Sequence, residues 1–263
     1  MILKHYLLRT AKDPLNFVML ILFPFVMLAI FITTSVQGVP FELRDVNGFC
    51  LQASGMLAFN VLFFQYFGGM LVTDFLYAEF RTDMRWRLMA TPKSINTFIL
   101  SAIGASMIIG AINGAIVLIA ARFIFNAYFN IPFTIIALAG MSIFVTLFGV
   151  LCFMFFPKKG TTTAVIMVFA FAQMLALNFN LIPMAPFGEI GAASFLPLIA
   201  ASNAINYTSG MWAQSIDPDL GFAGGFTLLG TDMNMALIHL GILGGLIVVA
   251  LVAVLVVGRV RKI

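Results

Sequence analysis

The stretch LYAEFRTDMRWRLMATP, Leu76–Pro92, decides how the rest of the chain is read. It lies between two long apolar runs, yet it holds Glu79, Arg81, Asp83, Arg85 and Arg87 in a chain that is only 9% charged. Read as a helix, Leu76, Phe80, Met84 and Leu88 recur every four residues and make one apolar stripe, with Tyr77 beside it. Glu79, Asp83, Arg85 and Trp86 fall on other faces. Asp83 and Arg87 stand at i,i+4, where opposite charges can pair. Pro92 ends the helix, because it has no N–H to donate and disfavours helix at Thr91. The stretch is too polar to cross a bilayer. It predicts a short helix on the inner membrane face that offers its charged side to a soluble partner, or else one that rests in the interface without a partner.

The composition around it predicts an integral membrane protein. The 263 residues are 62% hydrophobic, with a mean hydropathy of +1.09, whereas a soluble domain is roughly half apolar and a quarter charged. The 29 Phe and 16 Met favour soft, adaptable apolar surfaces. The net charge of +4 reads as loop cations of a membrane protein and not as a nucleic-acid footprint. Cys50 and Cys152 argue against a disulfide framework or a metal site.

Working outward, Met1–Pro14 predicts an amphipathic interfacial helix. Ile2, Leu3, Tyr6, Leu7 and Thr10 share one side, and Lys4, His5, Arg9 and Lys12 the other. The apolar run that follows is long for a signal peptide and lacks a small-residue cleavage site, so it predicts a retained span. Six runs approach the ~20 residues that cross a hydrocarbon core: Phe17–Val36, Leu51–Val72, Phe98–Ala121, Pro132–Phe156, Thr161–Ile182 and Ala236–Gly258. Pro24 predicts a kink in the first. Gly110/Gly114 and Gly241/Gly245 have the spacing that lets helices approach closely.

Orientation follows from the cations. With the N-terminus inside, the inner segments hold Lys4, Arg9 and Lys12, then Arg81, Arg85, Arg87 and Lys93, then Lys158 and Lys159, then Arg259, Arg261 and Lys262. Only Arg44 and Arg122 fall outside, which predicts both termini in the cytoplasm of a plasma membrane, a bacterial inner membrane being favoured. The outer loop, residues 183–235, carries Glu189, Asp217, Asp219 and Asp232 but no Lys or Arg. Segments such as Gly191–Ala204 are too short to cross. They predict partly re-entrant outer helices under a small extracellular cap, with an extra pair of short spans as the alternative. The fold class is therefore an all-α membrane protein of six transmembrane helices in a single domain, residues 1–263.

No phosphate-cradling loop, His-Glu-x-x-His or Cys/His cluster occurs, so no catalytic, cofactor or metal residues are predicted. His239 could line a polar pathway or simply bond a neighbour. No predicted span carries a carboxylate near its middle, which argues against a self-powered transporter, and Asp74 reads as interfacial. Asn60, Gln65, Asn113, Gln173, Asn178 and Asn180 suit interhelical hydrogen bonds. Gln173 and Asn180, seven apart, share a face, and Phe59, Phe63, Phe64 and Phe67 add an aromatic surface or a lipid-facing cluster. Asn60, Phe63, Gln65, Gln173 and Asn180 are thus candidates for a path taken by an amphiphilic cargo.

These parts together resemble a known family, the membrane subunit of type-2 ABC transporters, mostly exporters. The resemblance covers essentially the whole chain: the basic start MILKHYLLRTAKDPLNFVMLILFP, six spans with both ends inside, and the long apolar outer loop. Its most specific part is FRTDMRWRLMATPKSINTFILS, where a charged helix leads into a Leu-x-Ala-x-Pro-like sequence. The family often has a Gly and then a Glu earlier in this loop; Asp83 and Trp86 stand at about those places here. The resemblance implies that Leu76–Thr91 is a coupling helix docking on a separate ATPase subunit, with Glu79, Arg81, Asp83, Arg85 and Arg87 at the contact. It implies a second contact at the Pro157–Gly160 turn through Lys158 and Lys159, and a connecting helix at Met1–Asp13. It further implies pairing with a second permease subunit, identical or related, and ATP held by the partner, with no cofactor on this chain. A hydrophobic or amphiphilic cargo such as a drug, antimicrobial peptide or lipid-like molecule is expected. The alternatives are a polysaccharide-exporting permease, or a non-transporting immunity or sensor protein of the membrane.

Overall fold

A computed structural model gives the fold and describes residues 2–13, 18, 22–36, 45–46, 49–82, 95–178, 190–213, 226–228 and 231–261. Nine α-helices occur among them: α1 (Ile2–Ala11), α2 (Phe23–Val36), α3 (Leu51–Phe64), α4 (Tyr66–Phe80), α5 (Ile95–Ile124), α6 (Ile131–Phe155), α7 (Lys159–Asn178), α8 (Pro197–Ser209) and α9 (Met233–Arg261). Two small antiparallel pairs join Asp45–Val46 to Phe49–Cys50 and Met211–Ala213 to Phe226–Leu228. Among the described residues, four helical stretches are long and apolar enough to cross a membrane: Asn60–Phe80, Thr97–Ile124, Ile131–Phe155 and Met233–Arg259.

Six spans were expected. Of the expected first, Phe17–Val36, the structure describes Val18 and residues 22–36, with Pro24 near the start of α2; the segment on which a kink at Pro24 turns lies largely outside the described residues. The expected fifth coincides with α7, whose apolar part Lys159–Leu175 is a shorter helix. The expected second runs further than predicted. The helix that holds Leu76 begins at Tyr66 and ends at Phe80, so Leu76–Phe80 prolong this span and do not open a separate helix. The reason is burial: Leu71, Val72, Phe75, Leu76 and Tyr77 continue one packed face past the boundary that hydropathy suggested. The Arg81 N–H closes the helix on the Tyr77 carbonyl at 3.0 Å. The rest of the predicted charged helix, residues 83–92, lies outside the described residues.

The bundle is built on α6, which packs against α4, α5, α7, α8 and α9. Its contact with α4 is backbone on backbone. A Cβ on Gly69 would come within 2.7 Å of the Val145 carbonyl oxygen, and one on Gly149 would strike the Gly69 carbonyl. Only glycine at both positions permits the crossing. Gly110 and Gly114 are likewise pressed against α6, at Ser142 and Leu138. A Cβ on Gly241 or Gly245, predicted as a similar pair, would meet nothing within 4 Å among the described residues. They belong to an outward strip of α9 that also exposes Val248, Val249, Val252 and Val256, a surface suited to lipid.

The described cations gather toward one end. Tyr6 of α1 is fully buried and packs its ring at a tilt against Phe75, ring centroids 4.7 Å apart. This draws Lys4, Arg9 and Lys12 to the end of α4 that carries Arg81. Burial, and next the nearby Glu79 carboxylate, push the Tyr6 phenol above its usual range. A Cβ on Gly258 would touch Met154, which brings Arg259 to the same end. Arg122 lies at the opposite end, donating to the Ala127 carbonyl at 3.0 Å.

At that opposite end α8 is buried on every side. Its thirteen residues rise only about 20 Å, too little to cross. Pro197 opens it, and Gly210, at φ 71°, closes it in the left-handed conformation that glycine adopts freely. Asp232 caps α9 by accepting the Met235 N–H at 3.0 Å.

Overpacking of a tight core typically costs about 1–3 kcal/mol. Gly149→Val, which forces a branched side chain onto the Gly69 carbonyl, is expected to reach at least the upper part of that range. Thermal unfolding in detergent should show it, with Gly241→Val at the open strip as an unaffected control.

Candidate functional site

Two places collect the residues singled out by sequence. The first is the basic end, where α4 stops and the α6–α7 turn passes beside it. Tyr77 is buried there and donates its hydroxyl to the Phe156 carbonyl at 2.6 Å. The same oxygen shares a 2.8 Å bond with Thr162 Oγ1. Lys159 Nζ pairs with Asp74 Oδ1 at 3.0 Å. The Arg81 guanidinium lies over the Phe153 ring, 5.6 Å from its centroid, and Phe153 also meets Tyr77 edge-on at 5.0 Å. Three kinds of interaction therefore fasten the end of α4 to the end of α6 and the start of α7, on either side of one short turn. The ion pair is largely solvated, with 57% and 42% of the two side chains exposed, and contributes little. The buried tyrosine contact is the stronger tie.

Of the residues that the resemblance placed at an ATPase contact, Lys158, Lys159 and Arg81 are exposed and Glu79 is half-buried, all at this end. Asp83, Arg85 and Arg87 lie outside the described residues. The contribution of Tyr77, Asp74 and Thr162 was missed. Their signal was weak, since a tyrosine at the rim of a span reads equally as an interfacial anchor.

The second place is the polar interior. Gln173 is fully used as a clamp: its Oε1 accepts the Leu198 N–H at 3.1 Å, and its Nε2 donates to Tyr66 Oη at 2.6 Å and to the Phe169 carbonyl at 3.2 Å. It thereby joins α7 to α4 and to the start of α8. His239 is similarly used. Its Nδ1 meets the Met235 carbonyl at 2.8 Å, while Nε2 takes Asn203 Nδ2 at 3.2 Å and Ser194 Oγ at 3.3 Å. Donation from Nδ1 and acceptance at Nε2 is the neutral tautomer that fits all three. Asn60 and Phe63 are buried, and Phe63 meets Phe64 and Phe171 edge-on, each at 5.3 Å. Asn180 lies outside the described residues.

Gln65 differs from these. It sits where α3 gives way to α4, with tight i,i−3 bonds from the Gln65 N–H to the Leu62 carbonyl and from the Gly68 N–H to the Gln65 carbonyl. Its carboxamide lies against Gly110 and Gly114 of α5, and a Cβ at Gly114 would stand 2.8 Å from Gln65 Nε2. Together with Asn113 it lines a slight indentation of about 10 Å³, room for about one water. Gln65 Oε1 and Asn113 Nδ2, like Asn206 Oδ1 in α8, are buried with no hydrogen-bond partner among the described residues. The structure thus brings together one predicted path residue, Gln65, with one assigned only to helix pairing, Asn113. Gly110-Ala-Ile-Asn113-Gly114 was the available signal: an amide between two glycines has room beside it.

No protein-family model matches this sequence, and no curated protein matches it.

Tyr77→Phe removes the tie between α4 and the α6–α7 turn and should lower stability by about 1 kcal/mol. Lys159→Ala should cost at most a few tenths of that order, as solvated pairs do. Thermal unfolding in detergent distinguishes the two, and equal losses would show the ion pair to be the main fastening.

Proposed function

We propose that the chain is the membrane permease subunit of an ATP-driven ABC exporter, working with a separate ATPase subunit and a second permease subunit in a cell membrane. The observation that carries this reading is the fastening of the α4 end to the α6–α7 turn through Tyr77, Phe156 and Thr162. A membrane protein driven from below needs its inner contacts to move as one body. A push on either loop is then passed to α4 and α6 together. Exposed Lys158, Lys159 and Arg81 at the same end offer charge to a soluble partner. The sequence of residues 80–101, with its resemblance to the coupling loop of type-2 permeases, supports the same assignment.

In this reading both termini are cytoplasmic, six spans form the body, and α8 with its neighbours forms the base of an outer cap. ATP binds the partner and shifts the permease pair between states only insofar as the ATPase holds those states with different free energy. The cargo is hydrophobic or amphiphilic.

Affinity purification of the tagged protein from its native membrane should recover an ATPase with a phosphate-binding loop. Arg85→Glu and Arg87→Glu should each uncouple ATP hydrolysis from transport while leaving membrane insertion intact. Transport by the purified chain alone, or full transport in both variants, would refute the assignment.

A further inference from the structure

We infer that the outward face of α1 binds the headgroup of an anionic phospholipid whose acyl chains lie along the exposed strip of α5. The inference rests on the described helices and not on the transport reading.

The apolar side of α1 is taken up by the protein itself. Tyr6 and Thr10 are buried, and Ile2, Leu3 and Leu7 join the apolar cluster formed by α4, α5 and α6. What remains outward is Lys4, His5, Leu8, Arg9 and Lys12, all exposed. Lys4, Leu8 and Lys12 recur every four residues and so share one face. Leu8, 48% exposed, has a lysine one turn away on either side. That pattern fits the boundary layer of a bilayer, where an apolar side chain enters the acyl region and ammonium groups reach out to phosphate.

The height of α1 on the bundle favours a lipid over a soluble partner. Tyr6 rests on Phe75, which precedes Arg81 at the tip of α4 by six residues. A Cβ on Gly104, nine residues into α5, would stand 3.7 Å from Leu3. At 1.5 Å per residue, α1 is therefore set back by about 9 to 14 Å from the ends of those spans. Exposed Arg81, Lys158 and Lys159 stand at the tips, where a soluble partner would arrive. Lys4 and Lys12 stand at the depth of headgroups. The strip of α5 that passes through Gly104 is exposed on either side of the crossing, at Leu100 and then at Ile108, Ile112 and Ile116 in steps of four. It gives an acyl chain an apolar track that ends at α1. Charge selects the headgroup. Residues 2–13 hold three Lys or Arg and one carboxylate, Asp13. A phosphodiester with net negative charge matches this face, whereas phosphatidylcholine brings an ammonium that the same cations repel.

The test places the full-length chain in nanodiscs of equal dioleoylphosphatidylglycerol and dioleoylphosphatidylcholine, and native mass spectrometry counts the lipids that stay bound on release. Phosphatidylglycerol should be favoured by about tenfold at low salt, and equilibration in about 0.5 M sodium chloride should bring the ratio toward parity. Lys4→Gln combined with Lys12→Gln should lower the preference to about twofold, and either change alone should lower it by about threefold. Lys158→Gln combined with Lys159→Gln, at the tips, should leave it near tenfold. Absence of any preference in the unaltered chain would overturn the inference. Equal losses in the two double variants would do the same, because the selectivity would then belong to the basic end as a whole. So would an α1 double variant that keeps its lipid preference but no longer retains a soluble protein that the unaltered chain recovers, since the face would then serve that partner. Should the α1 double variant not be recovered, the single changes decide between these outcomes.

Discussion

A polar group inside a hydrocarbon layer has no water to fall back on, and the interior of this bundle is arranged by that constraint. Gln173 reaches two other helices with one amide. His239 uses both ring nitrogens, tying α9 to the 3₁₀ turn at Ala192–Phe195 and to α8. Ser106 donates to the Gly68 carbonyl, and Ser142 to the Met107 carbonyl. These bonds join elements far apart in sequence, and each adds a modest amount, about 0.6–2 kcal/mol for interhelical bonds in membranes. Their larger effect is on register, because sliding either helix by a turn would strand both partners. Among the described residues, Gln65 Oε1, Asn113 Nδ2 and Asn206 Oδ1 depart from this pattern.

The basic end obeys a different rule. It faces water, where ion pairs are weak, so its order comes from aromatic packing with a hydroxyl at the centre. Tyr77 is buried at the rim, flanked by Phe153 and fastened to Phe156 and Thr162. Arg81 lies over the same Phe153 ring. Arg81 thereby rests on an aromatic face while the residue as a whole stays exposed, as long basic side chains do.

Much of the helical framework was legible. The runs behind α5, α6 and α9 are long, apolar and bounded by polar or proline-containing segments, and their predicted limits differ from the observed ones by a few residues. The break at Gln65 was not legible, because Phe-Phe-Gln-Tyr-Phe contains neither glycine nor proline, and tertiary contacts decide its geometry. The end of α4 was misjudged for a related reason. Hydropathy falls at Asp74 and Glu79, yet Phe75, Leu76 and Tyr77 remain buried, so the helix continues beyond the fall. In the polar interior, sequence could identify amides but not their partners. Gln173 and Gln65 look alike along the chain, and only their neighbours separate a saturated clamp from an amide with one end unpaired among the described residues. The two glycine pairs teach the same lesson: identical spacing gave a pressed contact at Gly110/Gly114 and a bare strip at Gly241/Gly245.

The touching backbones of α4 and α6 have a mechanical meaning. Where side chains separate two helices, a shift can be absorbed by rotating them; at Gly69 and Gly149 there is nothing to rotate. That crossing is a fulcrum with no play. Any relative motion of these two helices would have to be taken up elsewhere in the chain, and the i,i−3 turn at Gln65 lies one helical turn from Gly69.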